Sequence, residues 1–138
     1  MKVFEYEMRV PFYDVDSMRV VYHGNYVKYL EEARCAYLEA HGLSYMDMEA
    51  AGFLLPVVSL NVKYMRPCLF GQRLAIAVTR DRSNRNLLVL NYRLMDAESR
   101  QVALKAQTRQ AAIGLASREL LFDLPEAFVE RLDREAWL

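Results

Sequence analysis

The chain has 138 residues, of which 54% are hydrophobic, so it is long enough and apolar enough for one folded domain over residues 1–138. Its 18 basic and 18 acidic residues cancel, which excludes a general electrostatic attraction to nucleic acid or to an anionic membrane surface. The first ten residues alternate in polarity, and no run of 18 apolar residues occurs. We therefore expect no signal peptide, no membrane insertion and a cytoplasmic location.

The first forty residues predict a strand and then a long helix. Polar and apolar residues alternate over residues 3–12, which is typical of a half-buried strand, and Pro11 places this strand at a sheet edge or a bulge. From Asn25 onward the apolar residues recur every three or four positions, which predicts a helix. Asn25 is the expected N-cap, and Gly42 is expected just past the end of the helix.

The rest of the chain predicts a short helix, four strands and a last helix. Ser44 begins the short helix, with an acidic residue three positions on as in a capping box. The last helix begins at Pro125 and carries an apolar stripe of Phe128, Leu132 and Trp137. The strand connectors are short and contain turn-forming residues, so successive strands should pair antiparallel. The four strands cover residues 58–64, 74–79, 88–94 and 102–108.

This order of elements predicts an α+β domain. The long helix presents a wide apolar face and only one sheet is available to cover it. We therefore expect an antiparallel sheet of about five strands wrapped around a long central helix. The outer edges of that sheet stay available, which favours strand pairing between two copies of the chain.

Residues 14–29, DVDSMRVVYHGNYVKY, place two carboxylates, a histidine and three tyrosines around the start of the long helix. This segment resembles a motif of the hotdog-fold acyl-CoA thioesterases of the 4-hydroxybenzoyl-CoA thioesterase family: Asp, three variable residues, Val, an apolar or aromatic step, His and Tyr. Residues 55–74, LPVVSLNVKYMRPCLFGQRL, resemble the family's second strand and its proline-containing turn. With the order of elements, the resemblance covers nearly the whole chain.

The resemblance implies a hotdog fold and hydrolysis of an acyl-CoA to a carboxylic acid and free coenzyme A, which is part of the substrate, so no separate cofactor is needed. Asp16 stands at the position of the catalytic carboxylate, which attacks the thioester carbonyl or activates water. Backbone amides at residues 23–25 would polarise the carbonyl oxygen. From the residues alone, His23 is a candidate catalytic residue that donates to or orients the thioester, and the alternative is a partly buried histidine that bonds backbone near the helix start. The family's active sites lie between subunits, so we expect a homodimer or a dimer of dimers, which is a homotetramer.

The expected substrate-binding residues surround these groups and are Arg19, Tyr22, Gly24, Asn25 and Tyr26. Tyr26 is nearest the helix start and is expected at the pocket wall, whereas the other helix tyrosines are expected in the core. Arg19 departs from the family pattern, because many members have a glycine at this position. A long cation there would alter the acyl pocket or contact the phosphates of the substrate.

The chemistry of Asp16 also follows from the residues themselves. A thioester carbonyl is less resonance-stabilised than an ester, and helix N-terminal amides are suited to a developing oxyanion, so a positioned carboxylate suffices. If Met18, Val20 and Tyr22 shield Asp16 from water, that desolvation would raise the pKa of its carboxyl and strengthen it as a base or nucleophile. The alternative is that Asp16 only binds turn amides, as Asp often does before a helix.

Five cations are candidates for binding the phosphates of coenzyme A: Lys63, Arg66, Arg80, Arg82 and Arg85. Solvated surface charge is the alternative for each of them singly. As a set they form a hypothetical binding site for the nucleotide end of the substrate.

No metal site is expected. Asp14, Asp16 and His23 could contribute ligands to a divalent cation, but no third carboxylate or second histidine follows at a suitable spacing. Cys35 and Cys68 match no metal-ligand spacing and are interpreted as reduced thiols.

Two other functions stay open at this point. The first is a non-catalytic hotdog protein that binds acyl thioesters or a protein partner, which the replacement of the motif's glycine by Arg19 favours. The second is dehydration of a hydroxyacyl thioester, which normally needs a histidine and a carboxylate across the pocket, and His23 supplies only half of that pair.

Overall fold

A five-stranded antiparallel sheet and a long helix dominate the fold of the chain, which is described here from a computed structural model for residues 3–134. Two single-turn 3-10 helices, Phe12–Asp14 and His23–Asn25, lie between the first strand and the long helix. The strands and α-helices are β1 (Phe4–Arg9), α1 (Tyr26–Ala40), α2 (Tyr45–Ala50), β2 (Phe53–Leu54), β3 (Val57–Tyr64), β4 (Arg73–Asp81), β5 (Leu87–Asp96), β6 (Val102–Ala111), β7 (Ile113–Gly114) and α3 (Glu126–Asp133).

The main sheet has the strand order β1–β4–β5–β6–β3, and every neighbouring pair is antiparallel. The five predicted strands and the α+β class are confirmed. β1 is an edge strand, as Pro11 indicated. The short strands β2 and β7 form a separate pair that the sequence pattern did not predict. The expectation of one domain over residues 1–138 includes residues outside the described range and stays a prediction.

The expectation that successive strands pair was wrong for β3 and β4. β3 pairs with β6 at one edge of the sheet, and β4 pairs with β1 and β5 near the other. Three strand spacings, about 14 Å, separate β3 from β4. The connector, residues 65–72, reaches up to about 26 Å when extended, so it crosses the end of the sheet.

The core lies between α1 and one face of the sheet. Leu30, Ala33 and Tyr37 of α1 are buried, as the period of the helix predicted, and they belong to the same cluster as Ile76 and Leu90 of the sheet. Full burial of a single large apolar side chain of this kind contributes about 1.5–3 kcal/mol to the free energy of unfolding. This packing fixes the position of α1, and therefore of the segment that leads into it.

The predicted end of α1 and the predicted start of α2 are confirmed. Gly42 has a φ of 73°, which is the left-handed conformation expected after the end of α1. The Ser44 hydroxyl accepts a hydrogen bond from the Asp47 amide, and the Asp47 carboxylate accepts one from the Ser44 amide, which completes a capping box.

The C-terminal helix packs as its apolar stripe predicted. Pro125 directly precedes α3, and Phe128 and Leu132 are buried. Trp137, the third predicted member of the stripe, lies outside the described residues.

Candidate active site

Asp16 lies in a tight hairpin formed by residues 15–21, directly before the start of the long helix. Its amide donates a hydrogen bond to the Val20 carbonyl oxygen at 2.9 Å, and the Arg19 amide donates to the Asp16 carbonyl oxygen at 2.9 Å. The hairpin is held against the β3–β4 connector, because the Val21 amide donates to the Cys68 carbonyl oxygen at 2.9 Å. Asp16 therefore occupies a fixed turn.

The carboxylate of Asp16 is hydrogen-bonded within the turn. Its Oδ1 atom accepts a hydrogen bond from the Met18 amide at 2.8 Å, and the side chain is half-buried. This contact is the one that the turn-forming interpretation predicted. A carboxylate has about four lone-pair sites, so a single amide leaves Asp16 able to accept further hydrogen bonds.

Two of the three side chains that could shield Asp16 are themselves exposed. Met18 is 75% exposed and Tyr22 is 52% exposed, so neither side chain encloses the carboxylate.

The segment from His23 to Asn25 forms the single turn that leads into α1. The first amides of a helix have no partner within it, and they lie at its electropositive end. The Asn25 amide is already used, since it donates to the Tyr22 carbonyl oxygen at 2.8 Å. The amides of His23 and Gly24 are therefore the ones suited to an anionic oxygen.

The expectation that the Asn25 side chain caps α1 was wrong. Asn25 has helical backbone angles and its side chain makes no capping hydrogen bond. Its Nδ2 atom donates instead to the Asp14 carbonyl oxygen at 2.9 Å. The 3-10 turn begins earlier than the predicted helix start, which moves Asn25 from the cap position into the helical path. Its expected substrate contact stays a prediction.

His23 is exposed and has two tyrosine neighbours. The ring centres of His23 and Tyr22 are 4.4 Å apart, and Tyr64 approaches edge-on at 6.4 Å. The Tyr64 hydroxyl donates to the His23 carbonyl oxygen at 2.9 Å. Tyr64 was missed because its sequence signal was only that of a strand residue. A side chain at Gly24 would meet the Tyr22 ring at 2.8 Å, so glycine permits this close approach.

Tyr26 lies beneath the surface rather than on an open wall. It is 3% exposed, and its hydroxyl accepts a hydrogen bond from the Cys68 amide at 3.0 Å. Burial raises the pKa of the Tyr26 hydroxyl, so it stays neutral. Tyr29 and Tyr37 are buried as expected. The expected contact of Tyr26 with substrate stays a prediction.

Arg19 has a φ of 67°, a left-handed backbone conformation that is unfavourable for residues with a Cβ atom. Its side chain is exposed beside the Asp16 turn. This geometry explains why a glycine suits this position and why an arginine there carries local strain.

Asp14, one of the three residues considered as metal ligands, already has partners for its carboxylate. It ends a 3-10 helix and is buried, and its carboxylate accepts hydrogen bonds from Lys28 at 3.0 Å and Tyr29 at 2.7 Å. Within residues 3–134, no group of three or more His, Cys, Asp or Glu side chains is placed to hold a metal ion. Both cysteines are free.

The structure does not bring the five candidate phosphate-binding cations together within one chain. Lys63 shares a cross-strand row with Ala77 of β4, through β6 and β5. Arg80 lies three residues from Ala77, so it points to the opposite face of the sheet. Lys63 and Arg80 therefore lie on opposite faces of the sheet, and Arg80 is near the end of β4 that leads into β5.

Arg80 already has an anionic partner. Its guanidinium donates to the Asp133 carboxylate at 2.7 Å, and its side chain is 9% exposed. This hydrogen bond, together with the charges of Arg80, Arg82 and Arg85, lowers the pKa of the Asp133 carboxyl. Arg80 therefore joins α3 to the sheet, which the sequence did not predict.

Exposed apolar side chains lie in the Asp16 hairpin, in the turn before it and in the β3–β4 connector that bridges to it at Val20 and Leu69. Phe12 and Phe70 pack edge to face with ring centres 5.5 Å apart, yet they are 73% and 55% exposed. Met18, Tyr22 and Leu69 add to this surface. Strand periodicity does not extend to these loop residues, so the sequence pattern did not predict their grouping.

Comparisons with known proteins identify the family of the chain. The sequence profile of the Thioesterase-like superfamily matches residues 10–132. The chain belongs to this superfamily. The resemblance noted from the motif around Asp16 is therefore confirmed at the family level.

Individual relatives are named as thioester hydrolases. The chain is 30% identical over 120 residues to a 1,4-dihydroxy-2-naphthoyl-CoA hydrolase of Synechocystis sp. PCC 6803, which covers 86% of this chain and 87% of the relative. It is 39% identical over 72 residues to YneP of Bacillus subtilis, a candidate acyl-CoA thioesterase. That match spans only 52% of each chain. The predicted class of enzyme, a thioester hydrolase, is confirmed by these comparisons.

Solved structures of the same class confirm the fold. The crystal structure of Slr0204, a 1,4-dihydroxy-2-naphthoyl-CoA thioesterase from Synechocystis, superposes with a TM-score of 0.86 at 27% identity. The superposition covers 96% of this chain and 97% of that chain. The predicted hotdog fold is thereby confirmed. Among the described residues, no helix has the length and apolar character needed to cross a membrane.

Proposed function

We propose that this superfamily member hydrolyses acyl-CoA thioesters to a carboxylic acid and free coenzyme A, with Asp16 as nucleophile or general base. One observation carries the proposal: the Asp16 carboxylate is held in a hydrogen-bonded turn directly ahead of the helix start at His23 and Gly24. This arrangement combines an anionic group with electropositive amides in one short segment.

The helix-start amides stabilise the oxyanion that develops on the thioester carbonyl. As a nucleophile, Asp16 attacks the carbonyl carbon, the C–S bond breaks and coenzyme A leaves as a thiolate; water then hydrolyses the resulting anhydride and restores the carboxylate. As a general base, Asp16 takes a proton from the water that attacks the carbonyl, and this proton passes to the departing thiolate. His23, next to this segment, orients the thioester or the water.

The acyl group lies on the apolar surface beside the hairpin. Phe12, Tyr22 and Phe70 present aromatic rings there, and edge or face contacts with a flat acyl group suit such rings. Relatives named for a dihydroxynaphthoyl-CoA make aromatic acyl groups the first substrates to test. The other proposed substrate-binding residues are Arg19, Gly24, Asn25 and the buried Tyr26. Arg19 replaces the glycine of the family motif, and this replacement would alter which acyl groups the site prefers.

A second copy of the chain completes the site. The exposed Met18 and Tyr22 lack a cover within one chain, and β3 is an edge strand with exposed apolar residues. Pairing of β3 between two copies would bury this edge and add a surface opposite the Asp16 hairpin. The proposed assembly is a homodimer or a dimer of dimers.

Lys63 and Arg66 are the proposed phosphate-binding cations at the same end of the sheet as the hairpin, because the neighbouring Tyr64 contacts His23 there. Arg82 and Arg85 lie at the other end of the sheet with Arg80, so they would serve this site only from another subunit.

The proposal is tested by measuring thiol release from short, long and aromatic acyl-CoAs with the wild type and Asp16→Asn. The substitution keeps the shape of the side chain and removes its charge. We expect turnover by the wild type and a loss of about 100-fold or more in the variant, the scale of a positioned acid or base. Asp47→Asn, which removes a capping-box carboxylate away from the hairpin, is the matched control.

Each outcome separates two parts of the proposal. Turnover by both the wild type and Asp16→Asn would retain the activity and refute the role of Asp16. Binding of acyl-CoA without turnover by the wild type would refute the activity and favour the non-catalytic alternative.

A further inference from the structure

Asp14 is a buried carboxylate that the proposed chemistry does not use. It is 4% exposed, and its Oδ2 atom accepts a hydrogen bond from the Tyr29 hydroxyl at 2.7 Å. Its Oδ1 atom accepts one from Lys28 Nζ at 3.0 Å. A buried carboxylate is costly unless it is paired and hydrogen-bonded, and these two donors meet that requirement. Both donors lie in the first turn of α1.

The main-chain carbonyl oxygen of Asp14 accepts two more hydrogen bonds. The Tyr22 amide donates to it at 3.0 Å, and the Asn25 side chain donates at 2.9 Å. One residue thus receives four hydrogen bonds from positions that precede and follow the amides of His23 and Gly24.

The four hydrogen bonds to Asp14 lie close to Asp16 along the chain. Asp14 is two residues from Asp16, and two residues span at most about 7 Å. Fixing Asp14 against the first turn of α1 therefore restricts the distance between the Asp16 hairpin and the helix-start amides. A displacement of about 1 Å at a reacting group lowers the rate by about 100-fold.

We infer that Asp14 is a positioning residue, which sets the Asp16 carboxylate in register with the amides of His23 and Gly24 by binding Lys28 and Tyr29. This inference rests on the proposed function for its kinetic consequence. The connection that Asp14 makes between the hairpin and the helix start can be tested without any enzyme activity.

The first test compares Asp14→Asn with the wild type in steady-state kinetics. Asparagine keeps the shape of the side chain but loses the charge and turns an NH₂ group toward Lys28 or Tyr29. We expect kcat to fall by about 10-fold to 100-fold, because the reacting groups lose their register. KM should change by less than about 3-fold, since Asp14 is buried and does not touch the substrate.

Two further variants separate positioning from general loss of stability. Tyr29→Phe removes one donor with little change in shape and should lower kcat in the same direction by a smaller factor. Asp47→Asn disrupts the α2 capping box, so it should lower the melting temperature while kcat stays within about 2-fold of the wild type.

Amide hydrogen exchange provides a readout that needs no activity. The Arg19 and Asn25 amides, which donate to Asp16 and Tyr22, should exchange faster in Asp14→Asn, whereas amides in the centre of β5 should not change.

The inference is overturned if Asp14→Asn keeps the kcat of the wild type, or if KM rises with kcat unchanged. It is also overturned if Asp47→Asn loses as much kcat at an equal loss of melting temperature. If the wild type hydrolyses no acyl-CoA, the proposed function fails, and the exchange of the Arg19 and Asn25 amides still decides whether Asp14 connects the two segments.

Discussion

The Arg19 amide donates a hydrogen bond to the Asp16 carbonyl oxygen at 2.9 Å, and Arg19 holds a φ of 67° in doing so. Arg19 closes the turn around the candidate carboxylate. Its conformation is therefore one that is unfavourable for every residue with a Cβ atom. Strained backbone of this kind persists where the surrounding structure fixes it, and it is frequent at active sites.

Replacing this arginine with glycine should stabilise the protein. The left-handed conformation costs a residue with a Cβ atom roughly 1–2 kcal/mol, and glycine loses roughly 0.5–1 kcal/mol through its greater freedom in the unfolded chain. We expect Arg19→Gly to raise the free energy of unfolding by about 0.5–1 kcal/mol, measured by urea denaturation.

Ser17→Gly in the same turn is the matched control, because Ser17 does not have a positive φ. It should lower the free energy of unfolding by about 0.5–1 kcal/mol. Equal effects of the two substitutions would show that the conformation of Arg19 carries no strain.

The Tyr26 hydroxyl should contribute more to stability than the Tyr64 hydroxyl. Tyr26→Phe leaves the buried Cys68 amide without its acceptor, which costs about 1–3 kcal/mol. Tyr64→Phe removes a hydrogen bond to the His23 carbonyl oxygen at an exposed site, where water replaces it, so the loss should stay below about 1 kcal/mol. Chemical denaturation of both variants checks the order, and a larger loss for Tyr64→Phe would contradict it.

The sequence predicted the elements of this fold better than their arrangement. Period-two and helical patterns are local, so they located β1, the four long strands and α1. The crossing of the β3–β4 connector depends on which edge of the sheet each strand joins, and this is decided by packing of distant parts of the chain. A connector of eight residues is long enough for either arrangement.

The candidate site shows the same division. Asp16 was predicted from the sequence because it belongs to a motif within a short segment. The same motif identified Arg19 as a residue at a position where many members have glycine. The partners of Asp14 lie in the first turn of α1, and Tyr64 reaches His23 from β3, so both contacts depend on tertiary structure. The five candidate cations look like one group in sequence, yet strand alternation sends Lys63 and Arg80 to opposite faces.

The exposed edge at β3 predicts self-association in solution. Leu60 is 43% exposed on this strand, so burying the rest of its side chain contributes about 1 kcal/mol, and an aspartate there would also place an unpaired charge in the interface. Leu60→Asp should therefore raise the dimer Kd by about 10-fold to 100-fold, measured by sedimentation equilibrium. Met46→Asp on α2, where the side chain is 81% exposed, is the control and should leave the Kd unchanged. A monomeric wild type, or equal effects of the two variants, would refute pairing through β3.

Asp96 should make the stability of the protein depend on pH in the acid range. Hydrogen bonds from the Ser99 amide, the Gln72 side chain and the Glu98 amide lower the pKa of its carboxyl to about 2, against roughly 3.9 in an unfolded chain. A carboxyl whose pKa is lowered by folding stabilises the folded state above the unfolded pKa, and this contribution is lost as the pH falls from about 4 to about 2.

Asp96→Asn removes this contribution at every pH. The free energy of unfolding of the variant should lie below that of the wild type at pH 7, and the difference between them should shrink between about pH 4 and pH 2. Urea denaturation of both proteins at a series of pH values measures that difference. If the difference stayed constant across this range, the Asp96 carboxylate would not be the source of the acid sensitivity, and the contacts with Ser99 and Gln72 would act equally well through a neutral group.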